Sequence, residues 1–132
     1  GGLYDVGKTL LLKWGLGDAY EDGDFEVVLP STLKTIGIDA FCGSVVSKVV
    51  LPEGLETIEE RGFYNAHCIT ELHIPSTLTS IAGDALMIDN LTKITVAEGN
   101  PEFCADERGA LFSADKKILY VYPKANTERF YN

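Results

Sequence analysis

Val27-Val28-Leu29-Pro30-Ser31-Thr32-Leu33-Lys34-Thr35-Ile36 is followed by two close copies of itself, Val49-Val50-Leu51-Pro52-Glu53-Gly54-Leu55-Glu56-Thr57-Ile58 and Leu72-His73-Ile74-Pro75-Ser76-Thr77-Leu78-Thr79-Ser80-Ile81. A fourth, decayed copy, Ile94-Thr95-Val96-Ala97, keeps the apolar positions and loses the proline. The steps from Leu29 to Leu51, Ile74 and Val96 are 22 to 23 residues, a period that belongs to solenoids. A unit this short cannot bury its own apolar face, so the copies must stack and supply each other's core contacts.

Alternation assigns the side chains, because successive strand residues face opposite sides of a sheet. Val27 and Leu29, Val49 and Leu51, Leu72 and Ile74, and Ile94 and Val96 point inward. Glu26, Val28, Lys48, Val50, Glu71, His73, Lys93 and Thr95 then form one outward stripe. Each proline ends its strand, since it has no N–H for a further ladder bond, and turns the chain toward the inward pairs Leu33/Ile36, Leu55/Ile58 and Leu78/Ile81. Ala40-Phe41, Gly62-Phe63 and Ala85-Leu86 read as short helical or irregular turns on the far edge of each coil. Val46, Ile69 and Leu91 close the apolar ring. The alternation predicts that Leu29, Leu51, Ile74 and Val96 form one buried row on parallel strands ~4.8 Å apart.

A longer repeat lies over this one. Residues 109–122 align without a gap on residues 1–14, matching Leu111 to Leu3, Phe112 to Tyr4, Leu119 to Leu11 and Tyr122 to Trp14. Two apolar runs flank a polar turn in each, as in a β-hairpin. Both hairpins are expected to cap the coils, with Trp14 and Tyr122 laid on the adjacent core. Phe130-Tyr131-Asn132 resembles the start of another coil, so the chain reads as an excerpt of a longer array.

These phrases resemble the BspA-type leucine-rich repeat proteins, a bacterial cell-surface family also found in some parasitic protists. Leu29-Pro30, Leu33, Ile36-Gly37 and Ala40-Phe41 reproduce the family's unit in order. Asn100-Pro101-Glu102-Phe103, Asp106-Glu107, Gly109-Ala110-Leu111-Phe112, Lys116-Lys117 and Tyr122-Pro123 match its hairpin. Ser44 and Ala66 stand where family units often carry a cysteine, and the fourth unit lacks the Leu-x-x-Ile phrase. The expected fold is mostly β with short helical turns: a leucine-rich-repeat solenoid of parallel strands, flanked by β-hairpins at both ends. Residues 1–26 would hold the first hairpin and an acidic connecting loop, 27–99 about four coils, and 100–132 the second hairpin and the start of a following repeat, in one continuous domain. The resemblance implies a secreted or surface-anchored protein of adhesive or ligand-binding type, without catalysis.

Composition narrows the partners. The chain has 132 residues, 45% of them hydrophobic, and a formal charge of −9. Such an acidic chain repels phosphate backbones and anionic lipid, which argues against nucleic acid and against membrane attachment. No run of consecutive large aliphatic residues exceeds the three of Leu10-Leu11-Leu12, far short of the ~20 residues of a membrane span. Cys42, Cys68 and Cys104 are odd in number and occupy different repeat columns, so at least one thiol is unpaired, and they read as small core residues.

Candidate chemistry fails on spacing. Asp18, Glu21, Asp22, Gly23 and Asp24 resemble a calcium loop, but Tyr20 and Leu29 fall where carboxylates are needed. His67, Cys68 and His73 lack a fourth zinc ligand. Neither Ser44 nor Ser113 has a matched His and acid, and the adjacent Glu59 and Glu60 cannot converge on one bond. No cofactor, metal or enzyme activity is expected. The outward stripe is the candidate binding surface, for a host extracellular-matrix protein or a glycan, on a chain expected to be monomeric. Its bland alternative is a solvated sheet face on a structural spacer that displays another domain, since alternating Glu and Lys is what cross-strand pairing alone favours.

Overall fold

Each coil is shaped by what its proline forbids. The computed structural model describes residues 2–14 and 26–125. First strands lie at Glu26–Val28 (β3), Lys48–Val50 (β5), Glu71–Ile74 (β7) and Lys93–Val96 (β9), numbering strands from the N-terminal hairpin Gly2–Tyr4 (β1) and Leu10–Trp14 (β2). After the first three, the proline carbonyl accepts the N–H of the leucine three residues on: Leu33 from Pro30 at 3.0 Å, Leu55 from Pro52 at 3.1 Å and Leu78 from Pro75 at 3.2 Å. That tight turn drives each leucine into the core, where all three are fully buried. A second, two-residue strand follows in each coil, Thr35–Ile36 (β4), Thr57–Ile58 (β6) and Ser80–Ile81 (β8).

Two ladders therefore climb the solenoid. The second strands join the hairpin in one continuous sheet, β1-β2-β4-β6-β8, parallel from β2 onward. The first strands pair in parallel as β3–β5 and β7–β9. The expected unbroken row is corrected here: β5 and β7 share no ladder, and among the described residues no backbone hydrogen bond joins residues 46–51 to 69–74. The break falls where the period lengthens. In the first coil one residue, Val45, separates the buried Ser44 from Val46, whereas in the second two, His67 and Cys68, separate Ala66 from Ile69, directly ahead of β7.

The inward assignments hold. Val27, Leu29, Val49, Leu51, Leu72, Ile74 and Ile94 are buried, as are Val46, Ile69 and Leu91. Val96 and Ile81, beyond which the stack changes form, are half-buried. At ~25 cal/mol per Å² of apolar surface removed from water, these columns are the main stabilising contribution. On the far edge Trp14, Phe41 and Phe63 stack face to face, with ring centroids 5.7 and 4.9 Å apart.

The far-edge turns are not helical; among the described residues the chain is all strands and turns. Asp39 and Arg61 adopt φ of 58° and 53°, left-handed values that interrupt a right-handed helix after one turn. They let the next N–H groups reach the neighbouring coil instead: Phe41 N–H donates to Gly62 at 2.7 Å, and Phe63 N–H to Ala85 at 2.9 Å.

Three coils carry both strands, and the fourth contributes β9 alone before the chain enters an antiparallel meander of Phe103–Ala105 (β10), Leu111–Ser113 (β11) and Leu119–Val121 (β12). Strand β10 adds to the expected hairpin. Gly109 joins the meander to the solenoid: its φ is 81°, a Cβ there would sit 2.7 Å from Lys93 Cα, and its carbonyl accepts Ile94 N–H at 2.8 Å. The Asn100 amide closes the last coil, donating to the Pro75 and Leu78 carbonyls at 2.9 and 2.8 Å and accepting the Glu102 and Phe103 N–H groups at 2.9 Å each.

The 108-residue repeat is also geometrical. Both hairpins have a bulge at the same place, Leu3/Tyr4 and Leu111/Phe112. Leu3 faces Lys13 as Leu111 faces Val121, and Tyr4 faces Leu11 as Phe112 faces Leu119. Lys8 and Lys116 both turn through the left-handed region, at φ 53° and 63°. Asp5 N–H donates to Leu10 at 3.1 Å, and Ser113 N–H to Ile118 at 2.9 Å. Trp14 lies on the core as expected, and Tyr122 is half-buried near Leu86. The acidic segment with Asp18, Glu21, Asp22 and Asp24, and the terminal Phe130-Tyr131, lie outside the described residues.

Candidate functional site on the strand face

Strand alternation places all eight stripe residues outward. Glu26, Val28, Lys48, Glu71, His73, Lys93 and Thr95 are exposed and Val50 is half-buried. The register aligns Glu26 with Lys48 and Val28 with Val50 on one pair, and Glu71 with Lys93 and His73 with Thr95 on the other. Lys48 and Glu26 approach to 3.8 Å with both side chains more than half exposed, a pair worth little in water. Glu71 and Lys93 are aligned but do not close into an ion pair with each other. His73 Nδ1 and Thr95 Oγ1 are 2.8 Å apart and share a hydrogen bond.

The break between β5 and β7 turns this face into a groove of about 440 Å³. Lys48, Val50, Glu71, His73, Lys93 and Thr95 line it, six of the eight stripe residues, while Glu26 and Val28 lie outside. Its floor is the apolar Val49 and Leu72, and its walls include the facing edges of two strands that pair with no described strand on that side. Val28, 71% exposed, stands as an apolar neighbour on the adjoining strand. The groove thus offers cationic and anionic side chains, backbone donors and acceptors and an apolar base. Alternation predicted the stripe; it could not predict a concavity, whose only signal was the step of 23 residues.

Other candidate chemistry is dispersed. His67 Nδ1 lies 3.3 Å from the Asn65 carbonyl, away from His73 and its partner Thr95. Among the described residues no three His, Cys, Asp or Glu side chains converge to hold a metal ion. Cys42, Cys68 and Cys104 are free thiols and half-buried, more exposed than core residues; Cys104 Sγ donates to the Ser113 carbonyl at 3.2 Å. No helix among the described residues is long and apolar enough to cross a membrane.

Opposite the strand face a charged column went unnoticed in the sequence. Asp39, Arg61 and Asp84 each precede a small-then-large pair. Arg61 Nε donates to Asp39 Oδ1 at 2.7 Å and its terminal nitrogen to Oδ2 at 3.3 Å, while the Arg61 N–H donates to Asp84 at 3.0 Å. The Arg61 hydrogen bonds, aided by its charge and by Lys13, hold the Asp39 carboxyl below its ordinary range. This column ties coil to coil.

Residues 24–109 match the BspA type leucine rich repeat region in six copies. No curated protein matches the chain. Among solved structures, the pneumococcal vaccine antigen PcpA is 30% identical with a TM-score of 0.74, over 79% of this chain and 26% of that one. A leucine rich cell surface protein from Faecalibacterium prausnitzii is 25% identical with a TM-score of 0.62, over 75% and 26%. A leucine-rich repeat protein from Eubacterium ventriosum, at 24% identity and a TM-score of 0.64 over 79% and 34%, shares the fold. The chain spans about a quarter to a third of the length of these proteins.

Proposed function

The chain belongs to the BspA-type leucine-rich repeat family, and on that ground we propose that it is a non-catalytic binding module of a bacterial surface protein. It takes an extracellular-matrix protein or a glycan on its strand face. The carrying observation is the groove between β5 and β7, where six outward residues meet two unpaired strand edges. Hydroxyl-rich or peptide ligands both donate and accept hydrogen bonds, which such edges can satisfy, and Val50 supplies apolar contact. A surface location is supported by the names of two solved relatives, a vaccine antigen and a cell surface protein.

The test is a binding screen of the immobilised chain against a glycan array and against fibronectin, laminin and collagen. Saturable binding should fall at least ~10-fold in Val50→Arg and Lys93→Glu, a loss of ~1.4 kcal/mol, with unchanged melting temperatures. Absence of saturable binding to every probe would favour a spacer that displays another domain. Binding untouched by both substitutions would remove the groove from the account.

A further inference from the structure

We propose that the outer edge of β12 is a docking edge for a leucine-rich coil carrying a Leu-x-x-Ile-Gly phrase. The molecule displays this contact at its other end. The two hairpins share turn, bulge and register, yet their burial is opposite at equivalent positions. Leu11 is 0% exposed and its counterpart Leu119 is 48% exposed, whereas Leu3 is 61% exposed and its counterpart Leu111 is 1% exposed. Leu111 is covered by the solenoid that precedes its hairpin, and Leu11 by the coil that follows its own.

That following coil binds β2 by main chain and side chain together. Thr35 pairs with Leu10 and Ile36 with Leu11 in parallel. Lys34 and Thr35 N–H donate to the Thr9 carbonyl at 2.8 and 2.9 Å, Gly37 N–H to Leu11 at 2.8 Å, and Trp14 N–H to Ala40 at 2.8 Å. Phe41 then stacks on Trp14. On β12 the corresponding edge pairs with no described strand, and Ile118, Leu119 and Tyr120 are each about half exposed, at 53%, 48% and 50%. An edge strand with a run of apolar residues is a template for another strand.

The glycine in the phrase follows from the close approach. A Cβ on Gly37 would stand 2.6 Å from the Leu11 carbonyl oxygen, so any larger residue pushes the coil off the hairpin. The later coils have Glu59 and Ala82 at this position, and they pack on coils rather than on a hairpin. A second copy of this chain is a poor occupant, since its own β4 is already taken by its β2.

The experiment compares the chain with a fusion of residues 1–122 joined directly to residues 15–132, which places the first coil after β12 as it stands after β2. A second fusion carries a flexible glycine-serine spacer at the junction. In the direct fusion the Leu119 amide should exchange with deuterium at least ~100-fold more slowly than in the chain alone, and unfolding should be a single transition. Leu119→Lys should split that transition while leaving the melting temperature of the single chain unchanged. Unaltered exchange at Leu119, or two independent transitions in the direct fusion, would overturn the proposal. So would a direct fusion that fails to fold while the spacer fusion folds. Concentration-dependent dimerisation of the single chain that protects Leu119 would make the occupant a second copy and equally overturn it.

Discussion

Replacing Asn100 with alanine should cost this protein about 2–3 kcal/mol, although the side chain is small and only half-buried. Its amide has two donors and one oxygen, and all are used. The donors reach the Pro75 and Leu78 carbonyls and the oxygen receives the Glu102 and Phe103 N–H groups. Truncation leaves the Leu78 carbonyl and the Phe103 N–H without these partners, on residues 0% and 7% exposed. The Pro75 carbonyl retains the Leu78 N–H, and the exposed Glu102 can turn to water. Two stranded buried groups at roughly 1–3 kcal/mol each, discounted for water entering beside a half-buried site, give the stated loss. For a domain of this size that is a fall in melting temperature of roughly 10 °C. Asn100→Asp should lose at least as much, since a carboxylate keeps the two N–H groups but sets an oxygen against two carbonyls. Urea denaturation and thermal melts followed by circular dichroism measure both variants. A loss below ~1 kcal/mol in Asn100→Ala, or a fully stable Asn100→Asp, would refute the view that this amide closes the last coil.

Phe41→Ala removes a fully buried ring that stacks on Trp14 and on Phe63, and should cost about 3–5 kcal/mol by denaturant titration. Asp39 has a carboxyl held low by Arg61, so its contribution is present above the unfolded value of about 4 and is lost as pH falls through the lower folded value. The melting temperature of the wild-type chain should therefore fall more steeply below about pH 4 than that of Asp39→Asn, as calorimetry across acidic pH would show. Deleting residues from Leu111 onward strips β11 and the Tyr120 ring from Phe103, and light scattering should detect aggregation at concentrations where the full chain is monodisperse.

The phase of every first strand was legible because three copies repeat the same alternation, and a one-residue slip would have turned Val27, Val49 and Leu72 outward together. The second ladder was less visible. Two-residue strands such as Thr57–Ile58 have no period to read, and only stacking makes them a sheet. The expectation of helical turns failed because nothing local marks Asp39 and Arg61 as left-handed, apart from the small residue that follows each. Strand β10 and the closing role of Asn100 are set by contact with Pro75 and Leu78, more than twenty residues away. The stripe was legible residue by residue; the groove within it was not, since a single extra residue in one coil must first be propagated through packing before it parts two strands.

The parting of β5 from β7 also has a mechanical meaning. In a solenoid the strands run across the long axis and the ladder bonds along it, so tension between the two ends pulls the rungs open one after another. Coil one is held to coil two by β3–β5 and β4–β6, two ladders on opposite walls. Coil two is held to coil three by a single ladder, the two-residue pairing of β6 with β8, with turn bonds such as Phe63 to Ala85 beside it. Among the coil-to-coil seams this one has the fewest ladder pairs, so under load it should open before the β3–β5 and β7–β9 pairings, which a pulling trace would read as an early rupture releasing the segment between β6 and β7. The groove between β5 and β7 lies across this same seam, so opening the seam would also take the groove apart.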